Sequence, residues 1–171
     1  MKTSLVLTAG VALAALAACS RSSDNSNQSG VTKGAAGLQV NAVSAATDCL
    51  PASELNRPPE DFPPEQRIQI VGCINAAAAR QVNAQLPRQM EEGVRLDRLT
   101  TEGPLLTYHV TIMRPASSLP AGTAEQFANR TRTMVCANPQ MRSTIRIGGA
   151  YGYRWVDSQG TLINEIRIDS C

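Results

Sequence analysis

Aromatic residues are scarce in this chain. Two Phe, three Tyr and one Trp are all that 171 residues contain. So few rings leave little from which to build the stacking platform that binds single-stranded nucleic acid. An excess of one charge is missing too, since 16 Lys+Arg face 14 Asp+Glu. A nucleic-acid binder normally concentrates basic charge on one surface, so this balance argues against one. A single histidine rules out a metal site made of several imidazoles and disfavours a nucleophile–His–acid centre. Neither Gly-x-Ser-x-Gly nor His-Glu-x-x-His occurs. Beyond the N-terminus no apolar run approaches the ~18 residues a transmembrane helix needs.

What is present begins with the N-terminus. Met1-Lys2 is a short positive segment, and Leu5 to Ala18 is apolar apart from Thr8. As a helix that run reaches roughly 21 Å, short of a ~30 Å hydrocarbon core. It reads as the apolar region of a signal peptide. It ends in Leu16-Ala17-Ala18-Cys19. This resembles the lipobox of bacterial lipoproteins. The resemblance implies that residues 1–18 are removed and that the Cys19 thiol takes a diacylglycerol. Two acyl chains, at ~0.8 kcal/mol per buried CH₂, anchor a protein stably to a bilayer. Ser20 rather than Asp follows the cysteine, which by the same resemblance implies export to the outer membrane, with the domain facing the periplasm. The alternative is an ordinary signal peptide cut near a cysteine.

Residues 19–47 form the expected lipidated cysteine and tether. From Ser20 to Thr47 the chain is rich in Ser, Asn, Gly, Ala and Thr and has no ring. Such a composition cannot bury enough apolar surface to offset ordering. As a coil it would span about 30 Å.

The expected single domain is 48–171. Arg57 to Pro64 is Pro-rich and extended, with Phe62 placed to pin it. A first helix starts behind Pro63-Pro64 and runs to about Leu86, with Val71, Ile74, Ala78 and Val82 on one face. Strands are expected at Val94–Thr100 and Leu105–Met113. In the second, Leu106, Tyr108, Val110 and Ile112 alternate with polar residues. Thr123 with Gln126 is a capping-box pattern for a second helix, whose stripe includes Phe127, Thr131, Met134 and Val135. Asn138-Pro139 opens a short helix, stopped by Gly148-Gly149. A final hairpin carries Tyr151, Tyr153 and Trp155 on one strand, turns at Asp157 to Gly160, and returns through Leu162, Asn164, Ile166 and Ile168. The order is helix–hairpin, helix–hairpin, suggestive of a duplicated unit. The fold class is α+β, an antiparallel sheet of about four strands with helices on one face.

With Cys19 given to lipid, Cys49, Cys73, Cys136 and Cys171 remain. In an exported domain an even number reads as disulfides, with three connectivities open. The placement of the elements favours Cys49–Cys73 and Cys136–Cys171. A Cys₄ zinc site is the weaker alternative, because no Cys-x-x-Cys occurs. No metal, cofactor or catalytic residue is expected. His109 lies between Thr107 and Thr111 on a polar strand face, as a surface histidine. Glu60-Asp61 and Glu91-Glu92 are sequence neighbours and do not face one another. The Gly148 to Gly152 run precedes a strand, the wrong order for a phosphate loop. Asn129-Arg130-Thr131 matches a glycosylation sequon but lies inside the second helix.

A second resemblance covers Ala84 to Cys171. It is carried by Leu86-Pro87, Leu96-Asp97, Leu106 with Tyr108 and Ile112, Cys136, Pro139 to Arg142, Gly148, Tyr151-Gly152-Tyr153, Asp157 to Gly160 and Cys171. This series resembles a widespread set of small exported bacterial proteins of unassigned function. It implies a fold and carries over no catalytic residue.

The expected role is a non-enzymatic, lipid-anchored envelope protein that presents a binding module to a protein partner in the periplasm. An inhibitor or immunity lipoprotein that blocks a toxin is the alternative, and a hydrolase of unknown class a second one. Tyr151, Tyr153 and Trp155 are the candidate partner-binding residues if their face is exposed. If the helices cover it, they are core.

Overall fold

The computed structural model describes residues 31–33 and 39–171. The lipobox, Cys19 and much of the expected tether lie outside the described residues. Strands β1 (Val31–Lys33) and β2 (Gln39–Asn41) pair antiparallel and lead into helix α1 (Ala42–Thr47). Asn41 caps α1, its side chain accepting the Ser44 N–H at 2.9 Å. Its own N–H donates to Gln81 Oε1 at 2.7 Å. Val40 and Ala45 are buried, Val40 in the main core and Ala45 against Ile74 and Ala77. Structure thus begins ahead of Asp48, because two small apolar side chains and one cap suffice to hold this polar segment.

The Pro-rich segment makes a 3-10 turn at Pro59–Asp61. Phe62 is buried, with the Arg57 guanidinium 4.3 Å from its ring centroid. Helix α2 (Pro64–Asn83) starts on its proline and ends before the expected Leu86. Its apolar face buries Val71, Ile74, Ala77, Ala78, Ala79 and Val82. Gly72 lets α2 approach the sheet, since a Cβ there would sit 3.0 Å from the carbonyl oxygen of Gly103. Asn75 Nδ2 donates to the Pro104 carbonyl at 2.9 Å. Asn83 exchanges two hydrogen bonds with the Leu99 backbone. Asn83 thereby satisfies Leu99 backbone groups that burial would otherwise orphan.

The sheet consists of β3 (Arg88–Glu91), β4 (Val94–Glu102), β5 (Leu105–Ile112), β6 (Ala150–Val156) and β7 (Leu162–Ile168), in that spatial order. Two expectations are corrected here. The sheet has five strands rather than four, because β3 adds a short edge strand. It is also not wholly antiparallel, since β5 and β6 run parallel. A parallel pair needs a long crossover, and helices α3 (Thr123–Ala137) and α4 (Pro139–Arg146) form it. The expected hairpins β4–β5 and β6–β7 are present.

Asn138 caps α4 by accepting from Gln140 and Met141 N–H. The expected capping box at Thr123 is absent. Gly122, with φ of 80°, takes the cap position, and the Thr123 hydroxyl donates back to the Pro120 carbonyl. Asp157 organises the last turn. Its carboxylate accepts the backbone N–H groups of Ala116, Gln159 and Thr161, which hold its pKa below the usual value.

Residues from α2, α3 and α4 share one core with Leu96, Leu106, Tyr108, Tyr153 and Ile168. The opposite sheet face is polar. Disulfides join Cys49 to Cys73 and Cys136 to Cys171. The first clips the segment after α1 to α2, and the second ties the end of α3 to the chain beyond β7.

Candidate functional site

Alternation along β5 and β6 places Tyr108, Tyr151, Tyr153 and Trp155 on the core face. Parallel register sets Tyr108 beside Tyr153. Their rings stack at 4.7 Å, 8° from coplanar. Trp155 lies 5.7 Å from Tyr153, and Phe127 of α3 is 6.0 Å from Trp155. Tyr151, Tyr153 and Trp155 are only 4%, 8% and 6% exposed. The face that would have been an exposed aromatic stripe is therefore covered by helices. An aromatic row gains most when both its faces are packed.

The cover is incomplete. Between α3 and the sheet lies a cavity of about 120 Å³. Tyr108, Tyr153 and Trp155 form its floor together with Leu96 and Val110. Met90, Val94 and Ile112 line its β3–β4 side, and Phe127, Thr131 and Met134 of α3 line the other. Glu91 and Arg130 are its charged lining residues. A volume of this size accommodates a few methylene groups. Sites that bind organic groups are mostly apolar with a few placed polar atoms, and this one follows that pattern.

Burial drives the Tyr108 and Tyr153 phenols well above their ordinary value. Tyr151 is raised for the same reason, opposed by a hydrogen bond with Thr144. All three hydroxyls stay protonated near neutral pH.

His109 lies on the other face of the sheet. Its Nε2 is 2.8 Å from Thr100 Oγ1. Arg98 and Arg154 flank it by register on β4 and β6, and Arg154 pairs with Glu165. Arg95 pairs with Asp97, which also accepts from Thr111. Partial burial, then the two guanidiniums, lower the His109 pKa. Among the described residues no cluster of His, Cys, Asp or Glu could hold a metal ion. Nor is any described helix long and apolar enough to cross a membrane.

The structure brings together Tyr153 and Trp155 from the three candidate binding residues. Tyr151 stays beside Thr144, away from the groove lining. Cys19 is outside the described residues. Sequence reasoning identified Phe127, Thr131 and Met134 as a helix stripe but not as a groove wall, and it missed Met90 with strand β3. The one available signal for β3 was the methionine itself, an apolar residue in a polar run before a glycine turn.

No protein-family model matches the chain, and no curated protein matches its sequence. Solved structures do share its fold. One is a Pseudomonas aeruginosa protein assigned as secreted, with 18% identity and a TM-score of 0.51 over 58% of this chain and 89% of that one. The type II secretion pilotin EpsS of Vibrio vulnificus aligns with 14% identity and a TM-score of 0.50, over 57% of this chain and 86% of its own. The pilotin AspS of the Vibrio cholerae type II secretion system aligns with 18% identity and a TM-score of 0.50, over 62% and 95%. The described domain is therefore similar in fold to two secretion-system pilotins and a secreted protein.

Proposed function

We propose that this protein is a lipid-anchored outer-membrane lipoprotein whose domain binds an envelope protein on its periplasmic side, as an accessory of a secretion or envelope assembly. The observation that carries this reading is the apolar groove over Tyr108, Tyr153 and Trp155, in a fold that two pilotins share. An apolar segment of the partner would seat its side chains there, with Glu91 and Arg130 able to meet its charges. Lipidation at Cys19 would hold the domain at the membrane where that partner assembles.

The test is in-cell crosslinking followed by capture of the partner. Met90→Glu and Thr131→Arg place charge in the groove and should abolish capture while circular dichroism stays native. Arg98→Glu, on the opposite sheet face, should leave capture intact. The reverse pattern would instead favour an inhibitor that meets a toxin through its charged sheet face, and would end the groove reading.

A further inference from the structure

The two helices that flank the aromatic floor are held very differently. Helix α2 buries seven residues, is cross-linked at Cys73, and is bonded to the Pro104 and Leu99 backbone through Asn75 and Asn83. Among the described residues of α3, Val135 alone is buried. That residue lies beside Cys136, whose bridge to Cys171 pins the same end of the helix. The other end begins at Gly122, a left-handed residue that no side chain caps. Two contacts tie this half to the sheet's aromatic floor and edge. Asn164 Nδ2 donates to the Ala124 carbonyl at 2.7 Å, and Phe127 rests against Trp155.

Asn164 performs two tasks at once. Its Oδ1 accepts the N–H of Glu165 at 2.8 Å, on strand β7 at the sheet edge. Its amide group therefore bridges the edge strand to the first turn of α3. A polar side chain on the core face of β7, otherwise apolar at Ile166 and Ile168, has this bond as its structural reason.

We infer that α3 is a movable wall of the groove, pivoting on its disulfide-pinned C-terminal end and latched near its N-terminal end by Asn164. Lifting the first half of the helix withdraws Phe127 from Trp155 and widens the cavity beneath. The motion breaks the Asn164–Ala124 hydrogen bond and the Phe127–Trp155 ring contact, while the pivot and the intrahelical bonds survive. Elements with few buried contacts are the ones that open locally, below the free energy of global unfolding. This device rests on the groove being the partner site, and it explains how a cavity of about 120 Å³ admits more than one side chain of a partner.

Hydrogen exchange on the oxidised, full-length protein tests it without a partner. The amides of Phe127–Thr131 should exchange at least about tenfold faster than those of Ile74–Ala78 in the middle of α2, and Val135 should stay slow. Asn164→Ala should accelerate the first half of α3 by a further five- to tenfold or so, leave the sheet unchanged, and raise binding of an anilinonaphthalene sulfonate probe. Exchange of Phe127–Thr131 as slow as that of α2 in the wild-type protein would overturn the inference, whatever the variant does. Unchanged probe binding in a folded Asn164→Ala protein would overturn it as well. Failure of Met90→Glu to affect partner capture would strike the groove reading alone, because the exchange gradient does not depend on a partner.

Discussion

The ring of Tyr108 lies 4.7 Å from the ring of Tyr153, in register across the parallel strand pair β5–β6. That separation matches the spacing between neighbouring strands, so the stack is built by strand pairing itself. Identical side chains meet because the two strands run the same way with Tyr108 opposite Tyr153. The row continues to Trp155 and ends under Phe127.

Trp155 is the lone tryptophan, so its emission reports on this floor without interference. It should be blue-shifted and poorly quenched by acrylamide in the oxidised protein. Trp155→Ala should cost roughly 3–5 kcal/mol of stability, measured by denaturant unfolding, as expected for a large core ring removed without collapse of its site. Red-shifted, freely quenched emission would contradict the packing described above.

His109 should give the sheet's polar face a pH dependence. Burial, then Arg98 and Arg154, hold its folded-state pKa below the ordinary value of 6.5. The unfolded chain therefore takes up a proton first as pH falls. The stability from keeping His109 neutral is complete above pH 6.5, and it is lost as pH drops through the folded-state value. An NMR titration of the imidazole should give a midpoint below 6.5, and His109→Gln should flatten this part of the stability profile. A midpoint above 6.5 would mean that the flanking guanidiniums do not act on the ring.

Anchoring is tested at Cys19. Cys19→Ser removes the thiol that would accept lipid, and should abolish palmitate labelling and shift the protein out of the membrane fraction. A wild-type protein that carries no label and fractionates as soluble would refute the lipoprotein reading.

Local features were legible in the sequence. The start of α2 at Pro64 and the Asn138 cap of α4 follow from residues within one turn. The alternation of Leu106, Tyr108, Val110 and Ile112 read correctly because each buried position reinforces the next. Strand direction was not legible, since nothing within β5 or β6 states which way its neighbour runs. That information resides in the α3–α4 crossover. Strand β3 escaped because it has four residues, a polar composition and a bulge between Gln89 and Glu91. The groove escaped because its walls come from Met90, Val94 and Phe127, which only the tertiary fold brings together. The cap position at Gly122 instead of Thr123 shows a permissive backbone displacing a side-chain cap.

The parallel pair has a kinetic consequence. Hairpins β4–β5 and β6–β7 close over short turns and can form early. Joining them requires the whole crossover between Ile112 and Ala150 to come round, and a long loop pays its closure entropy before any contact rewards it. Tyr108 and Tyr153 lie on opposite sides of that join. The aromatic floor is thus the seam between two folding units, and it is completed when they meet. Tyr153→Ala should slow folding more than a substitution of equal cost at a hairpin position away from this seam.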